Sequence, residues 1–261
     1  MDLGIKGKVA LVNGAGGGLG GAIARALARE GVHVVAADIE PNAARKTTDD
    51  IVAEGGQSTT LQLDLGDLQA LPGCVEQLQK DVGGIDILIN NSGGPPPSLV
   101  TEVAQQTWET QFRAMVLSLM TLAELVLPHM RQQGWGRIIT STSSGVVAPI
   151  ANLGVSNTLR LALVGWSKTL AREVAKDGIT SNIVLPGRIA SARIQQLDEA
   201  RAKRENKAVE DVIRESTSSI PVGRYGHVHE YGDVVAFLAS ARASYVTGSV
   251  IRVDGGLITS I

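Results

Sequence analysis

Cysteine is all but missing from this chain of 261 residues: Cys74 stands alone. No intrachain disulfide is possible, and a reducing compartment, the cytoplasm, is the expected location. Aromatic residues make up only 3%, too few for the stacking surfaces that hold single-stranded nucleic acid. Charge of one sign is lacking as well, and a net −2 offers no field to attract nucleic acid or an anionic membrane. No uninterrupted apolar run approaches the roughly 20 residues of a membrane span. The opening MDLGIKGKVALV enters a strand pattern within a few residues, without a long apolar leader. No metal-ligand pattern is present either. His227 and His229 stand two apart with no cysteine partners, and are expected to be exposed or to serve a helix entry.

What is present is an ordinary globular composition, 44% hydrophobic and 19% charged, long enough for one large domain with a buried core. Short apolar runs alternate with segments of helical period. KVALVNG, VHVVAAD, STTLQLDL, IDILINN, GRIITSTS, ITSNIVLPG and SVIRVDGG read as seven strands. The stretches between them fit amphipathic helices, including two long ones near 105–133 and 152–176. Near-continuous apolar strands joined by helices imply a parallel sheet covered on both faces. The expected fold is therefore α/β, a single-domain, Rossmann-type, doubly wound seven-stranded sheet spanning 1–261. A charged, helical-looking insertion at 188–220 separates the sixth and seventh strands. Ligands of open α/β sheets sit outside the carboxyl ends of strands, so this insertion is a candidate lid over a small-molecule substrate.

The first strand runs into Asn13-Gly14-Ala15-Gly16-Gly17-Gly18-Leu19-Gly20 and then a helix. Glycines there permit a tight turn and let backbone N–H groups approach a pyrophosphate at the helix N-terminus. Asp38 ends the second strand at the spacing expected of the acid that accepts hydrogen bonds from the adenosine ribose. A carboxylate at that place repels a 2′-phosphate, so the expected cofactor is NAD rather than NADP.

Taken together, these motifs resemble the short-chain dehydrogenase/reductase family, most nearly its 3-oxoacyl carrier-protein reductase type. Gly14, Gly18 and Gly20 fit its T-G-x-x-x-G-x-G loop, with Asn13 in the place of the threonine. Leu63-Asp64-Leu65 resembles the adenine-contacting turn, and Asn90-Asn91-Ser92-Gly93 resembles N-N-A-G. Pro186-Gly187-Arg188-Ile189-Ala190-Ser191 is similar to the P-G-x-I-x-T that meets the nicotinamide amide. Pro221 to Arg224 and Tyr245 to Gly256 complete a likeness that covers essentially the whole chain. The resemblance implies that Gly14, Gly18, Leu19, Gly20, Asp38, Asp64, Leu65, Asn91, Arg160, Pro186, Gly187 and Ile189 bind the cofactor.

The resemblance also implies a catalytic set of serine, tyrosine, lysine and asparagine, and here that set is altered. The serine falls on Ser143, the tyrosine on Ser156, the lysine on Arg160, and the asparagine on Met115. GRII upstream, and Gly165 to Lys168 and Asn182 to Gly187 downstream, fix the register. Lys168 lies two turns beyond Arg160, and Tyr225, Tyr231 and Tyr245 all fall in C-terminal segments. An aliphatic hydroxyl is a far poorer acid than a phenol, and a guanidinium holds its charge but does not readily release a proton. Ser143, Ser156 and Arg160 are the expected catalytic residues of an oxidoreductase with a non-standard proton route, acting on an unidentified alcohol or ketone. The alternative is a catalytically silent NAD-binding protein, a sensor or partner subunit; a lyase or isomerase on the same fold is the remaining option.

Relatives dock an acidic carrier protein through basic residues beside this site; the matching places hold Gly134 and Asp177, with Gln132 and Gln133 alongside. The lid's Arg188, Arg193, Arg201 and Arg204 are candidates for an anionic substrate or for a solvated face. Pro95-Pro96-Pro97 is expected to stiffen a turn, with an apolar pocket wall as its functional reading. Surplus apolar residues at 116–127 and 159–170 suggest a homotetramer or homodimer.

Overall fold

The computed structural model describes residues 1–261. Seven parallel strands, β1 (Val9–Asn13), β2 (His33–Asp38), β3 (Gln57–Gln62), β4 (Ile87–Asn90), β5 (Gly136–Ser141), β6 (Ile179–Pro186) and β7 (Val250–Val253), form one sheet. Their order is β3-β2-β1-β4-β5-β6-β7. The helices are α1 (Gly18–Arg29), α2 (Pro41–Ala53), α3 (Leu71–Val82), α4 (Gln105–Phe112), α5 (Ser118–Gln133), α6 (Gly154–Val174), α7 (Ala192–Glu205), α8 (Val209–Ser218) and α9 (Val228–Leu238). This is the doubly wound architecture that the alternating pattern predicts.

Strand β1 shows why the runs are continuously apolar. All five of its residues are buried, and successive side chains point to opposite faces. Ala10 and Val12 join one apolar cluster with Ile23, Leu27 and Val235 of α1 and α9. Val9 and Leu11 join another with Leu78, Leu122 and Val126 of α3 and α5. Helices α1 and α9 approach closely because Gly232 has no side chain: a Cβ there would stand 2.7 Å from the Ala22 carbonyl oxygen. A third cluster, with Met115, Leu119, Leu159 and Leu163, ties α6 to the start of α5 and the residues just before it.

The chain reverses its direction of winding between β1 and β4, which pair directly through Ala10–Ile87 and Leu11–Leu88. That switch point opens the crevice in which such sheets hold ligands.

Three details depart from the sequence pattern. β3 ends at Gln62, so Leu63 to Leu65 lie in a loop. The helical stretch before β5 is interrupted by a π-helical turn at Arg113–Leu117, carrying Met115 into the interior. The 188–220 insertion holds two helices, α7 and α8, separated at Asn206 in the left-handed conformation. Gln105–Gln133 is the one run long and apolar enough to cross a membrane; here Leu119, Leu122, Val126 and Met130 of this run are buried in the core.

Candidate functional site

At the carboxyl ends of the strands lies a cleft of about 850 Å³, within the size range of sites for small molecules and cofactors. Gly14, Gly18 and Leu19 line it from the first loop and helix, and Asp38 from the end of β2. Asp64, Leu65, Asn91, Pro186, Gly187 and Ile189 line it from the loops after β3, β4 and β6. Ser143, Ser156, Arg160 and Met115 line it as well. Gly20 does not: it lies behind the loop, where a Cβ would stand 1.9 Å from the Gly14 carbonyl oxygen. Its contribution is to let the helix close on the turn, rather than to meet a ligand.

The loop is tied down from both sides. Asn91 Nδ2 donates to the carbonyls of Asn13 (3.2 Å) and Gly14 (3.4 Å). Asp38 Oδ2 accepts from the Gly16 N–H at 2.8 Å, and its Oδ1 accepts from the Glu40 N–H at 3.1 Å. Asn13, only 1% exposed, has no partner for either side-chain polar atom. An unsatisfied buried amide is costly, and Asn13 is among the residues that line the cleft. Gly17 has nothing within 4 Å of a Cβ position and Gly18 only Ser191 Cβ at 3.9 Å, so the loop leaves open space of the kind a pyrophosphate needs at the N-terminus of α1. The residues present fit a dinucleotide.

The other end is built around Arg160. Its side chain is buried and donates four hydrogen bonds, all to uncharged oxygens: Ser156 Oγ at 3.3 Å, and the carbonyls of Ser141 (3.3 Å), Ser92 (3.2 Å) and Gly93 (2.8 Å). No carboxylate lies within ion-pair distance of it. Burial pulls its pKa down to about 10, against a smaller opposing influence of Tyr231, while nearby Arg193 lowers it further. It is therefore charged at neutral pH. Ser156, one turn earlier on α6, takes its hydrogen bond from this guanidinium, as i,i+4 spacing allows. Ser143 Oγ accepts from the Gly145 N–H at 3.1 Å. Two further hydroxyls, Ser92 of the Asn90–Gly93 motif and Thr142 beside Ser143, line the cleft, are buried and have no protein partner. Both stand just past the carboxyl ends of β4 and β5.

No tyrosine replaces the missing phenol. Tyr231 is buried, with its hydroxyl 2.8 Å from Ser141 Oγ and 3.2 Å from the Val184 carbonyl; it does not line the cleft, and burial raises its pKa. Tyr225 donates to Asp198 Oδ2 at 2.7 Å, and Tyr245 is fully exposed. Lys168 is turned away, bonding the Gly248 carbonyl at 2.9 Å. Among the lid arginines, Arg188 pairs with Asp198 at 2.7 Å, Arg201 with Glu205 and Glu215, and Arg204 with Glu205. Arg193 alone of those four has no carboxylate partner, and it lines the cleft. The proline run does not line the cleft; the Pro95 carbonyl accepts from Arg193 Nη2 at 2.8 Å. His227 caps the start of α9, its N–H donating to Glu230 at 2.7 Å.

A glycine loop, a strand-end acid and a crevice at the switch point define a Rossmann-type, nicotinamide-dependent protein. The family model described as Enoyl-(Acyl carrier protein) reductase matches residues 14–258. The 3-oxoacyl-acyl-carrier-protein reductase FabG of Escherichia coli (strain K12) is 35% identical over 255 residues, covering 97% of this chain and 98% of that protein. Nodulation protein G of Azospirillum brasilense is 33% identical over 252 residues, covering 96% and 98%. Among solved structures, the L-sorbose reductase of Gluconobacter frateurii, complexed with NADPH and L-sorbose, superposes with a TM-score of 0.94 at 30% identity over 100% of both chains. YwfH, an NADPH-dependent reductase of bacilysin biosynthesis, gives 0.93 at 29% identity, covering 97% of this chain and 99% of that one. The chain belongs to the short-chain dehydrogenase/reductase family of NAD(P)-dependent oxidoreductases, on the 3-oxoacyl carrier-protein reductase side of that family.

Proposed function

We propose that the chain interconverts a ketone and a secondary alcohol with NAD, moving the proton through serine hydroxyls and water instead of a phenol. The observation that carries this reading is that Ser143, Ser156 and Arg160 line the same cleft as the glycine loop and Asp38. A nicotinamide cofactor held in this cleft would supply the hydride to the carbonyl carbon, or accept it in the reverse direction. Ser143 and Ser156 each already accept one hydrogen bond, so each keeps its own O–H to donate to a substrate oxygen. Negative charge gathers on that oxygen as the carbon gains hydrogen, and Arg160 offsets it without giving up its own proton. The hydroxyl proton passes to the oxygen and is replaced from solvent; the unpartnered Ser92 and Thr142 hydroxyls offer buried polar anchors for that water. Ketone, hydride and proton sum to the alcohol, and the reverse sequence oxidises it.

Losing a general acid costs about 10²–10⁴-fold in rate, whereas positioning alone supplies roughly 7–11 kcal/mol. Slow turnover is the expected outcome. NAD is favoured because the charged side chains lining the adenosine end are Asp38 and Asp64, with no Lys or Arg among the lining residues there. A 2′-phosphate would meet carboxylates without a cation, although the two similar reductases named above bind or use NADPH. The substrate is a small molecule rather than a carrier protein: at the matching surface Asp177 stands paired with Arg131 at 3.1 Å. Exposed Phe112, Leu117 and Leu161 support a homodimer or homotetramer, and the lone Cys74 supports a cytoplasmic setting.

One observation favours the silent alternative. Arg160 spends four donors on the chain's own oxygens, as a brace for the loops after β4 and β5 would. Calorimetric titration of NADH and NADPH, followed by NADH oxidation against a panel of small ketones, separates the readings. NADH binding at least about tenfold tighter than NADPH (about 1.4 kcal/mol), with slow oxidation, supports the enzyme. Binding without any oxidation supports the silent protein. No binding of either nucleotide removes both.

A further inference from the structure

The cleft is electrically divided. Its acidic lining residues, Asp38 and Asp64, sit past β2 and β3, and its basic ones, Arg160, Arg188 and Arg193, come from α6 and the lid. Arg188 is neutralised by Asp198 at 2.7 Å. Arg160 and Arg193 are not neutralised by any carboxylate. The lid otherwise spends its arginines carefully: Arg201, Arg204 and Arg214 each have an acidic partner.

Arg160 and Arg193 also face one another across Gly94. A Cβ placed on Gly94 would lie 3.5 Å from Arg160 Nη2 and 3.8 Å from Arg193 Nη2, so both guanidinium ends border one small volume. Arg160 Nη2 already donates to the Ser92 and Gly93 carbonyls and offers its charge there, while Arg193 offers N–H groups. Arg193 holds the protein through a single bond, to the Pro95 carbonyl, which leaves four of its five N–H groups uncommitted. Burial depresses the pKa of each arginine, and Arg193 adds to the depression at Arg160. Two desolvated like charges held this close raise the energy of the empty protein. An anion between them relieves both.

We infer that the substrate carries a carboxylate, held between Arg193 and Arg160 beside Gly94, with its carbonyl or hydroxyl carbon reaching toward Ser143 and Ser156. A planar carboxylate matches the fork of Arg193 in bidentate fashion. Ile150, Leu153 and Ile194, which also line the cleft, suit the apolar body of a small oxo or hydroxy acid. This inference rests on the reductase reading for what the cleft does, but not for the presence of the anion site.

The test uses straight-chain carboxylates from acetate to hexanoate, their neutral primary amides, and inorganic phosphate. Thermal shift and calorimetry on the full chain, with and without NADH, read their binding. At the chain length that fits, the acid is expected to bind about tenfold or more tightly than its amide. Arg193→Gln is expected to abolish that difference while leaving NADH affinity within about twofold, and Arg193→Lys to restore part of it. Amides binding as well as acids at every length would overturn the inference. So would an acid preference that survives Arg193→Gln, a loss of NADH affinity in that variant equal to the loss of acid affinity, or binding of phosphate alone. If NADH fails to bind while the acid preference and its loss in Arg193→Gln persist, the reductase reading falls and the anion site stands.

Discussion

The two ends of the cleft differ in how much of their chemistry is built from backbone. At the nucleotide end, carbonyls, N–H groups and missing side chains do most of the work: Asn91 clasps the carbonyls of residues 13 and 14, and Gly20 admits the Gly14 carbonyl. At the other end, where we propose the reaction takes place, the chemistry sits in side chains, and there Met115, Ser156 and Arg160 stand where the family resemblance implies asparagine, tyrosine and lysine. Where the loop is packed against backbone, as at Gly14 and Gly20, a side chain has no room. A proton-transfer site can change residues and keep its shape, since Arg160 fills the space and hydrogen bonds around it. Affinity for cofactor and rate of chemistry are therefore expected to respond separately to mutation.

The sharpest way to break that separation is at the loop. Gly20→Ala forces a Cβ onto the Gly14 carbonyl, and is expected to weaken NADH binding by about a hundredfold or more, roughly 3 kcal/mol, as read by calorimetry with circular dichroism to check folding. Next in size is Arg160→Met, which strips a partner from the buried carbonyls of Ser141 and Ser92 and from the part-buried carbonyl of Gly93. It is expected to cost about 2 kcal/mol of stability, lowering Tm by several degrees, while NADH still binds. Asp38→Asn tests the charge at the adenosine end alone; the NAD-over-NADP ratio is expected to fall about tenfold in paired titrations.

The smallest effect belongs to the lid. Glu205 is held down to about 2 by its hydrogen bond from Arg201 and a weaker one from Lys207, and Glu215 is lowered chiefly by Lys207. A carboxylate with a depressed folded-state pKa contributes stability above its unfolded value and loses it as pH falls through the folded one. The protection factors of the amides in α7 and α8, with intrinsic exchange at each pH divided out, are therefore expected to fall as pH drops from about 4.5 toward 2, and only slightly, because these groups are exposed.

Much of this was readable in advance where it depends on local pattern. The seven strands are continuous apolar runs because both faces of the sheet are covered, and the glycine loop announces itself by spacing. The order of the strands follows from the doubly wound rule. What escaped was set by contacts between distant residues. That Tyr231 would spend its hydroxyl on Ser141, ninety residues away, depends on how α9 packs under the sheet. Arg193 and Arg201 look alike in sequence, yet one faces the cleft and the other meets Glu205 and Glu215. The π-helical turn at Arg113–Leu117 leaves no mark in residue type, since Ala, Met, Val and Leu suit an ordinary helix equally well.

The double variant Ser156→Tyr with Arg160→Lys tests the central claim most directly, with NADH affinity and ketone reduction measured on the same preparation. The account predicts unchanged NADH affinity, within about threefold, and a rise in reduction on the order of 10²-fold as a tunable phenol returns. Unchanged or lower reduction with the cofactor still bound would contradict it, because the altered residues would then not be what limits the chemistry.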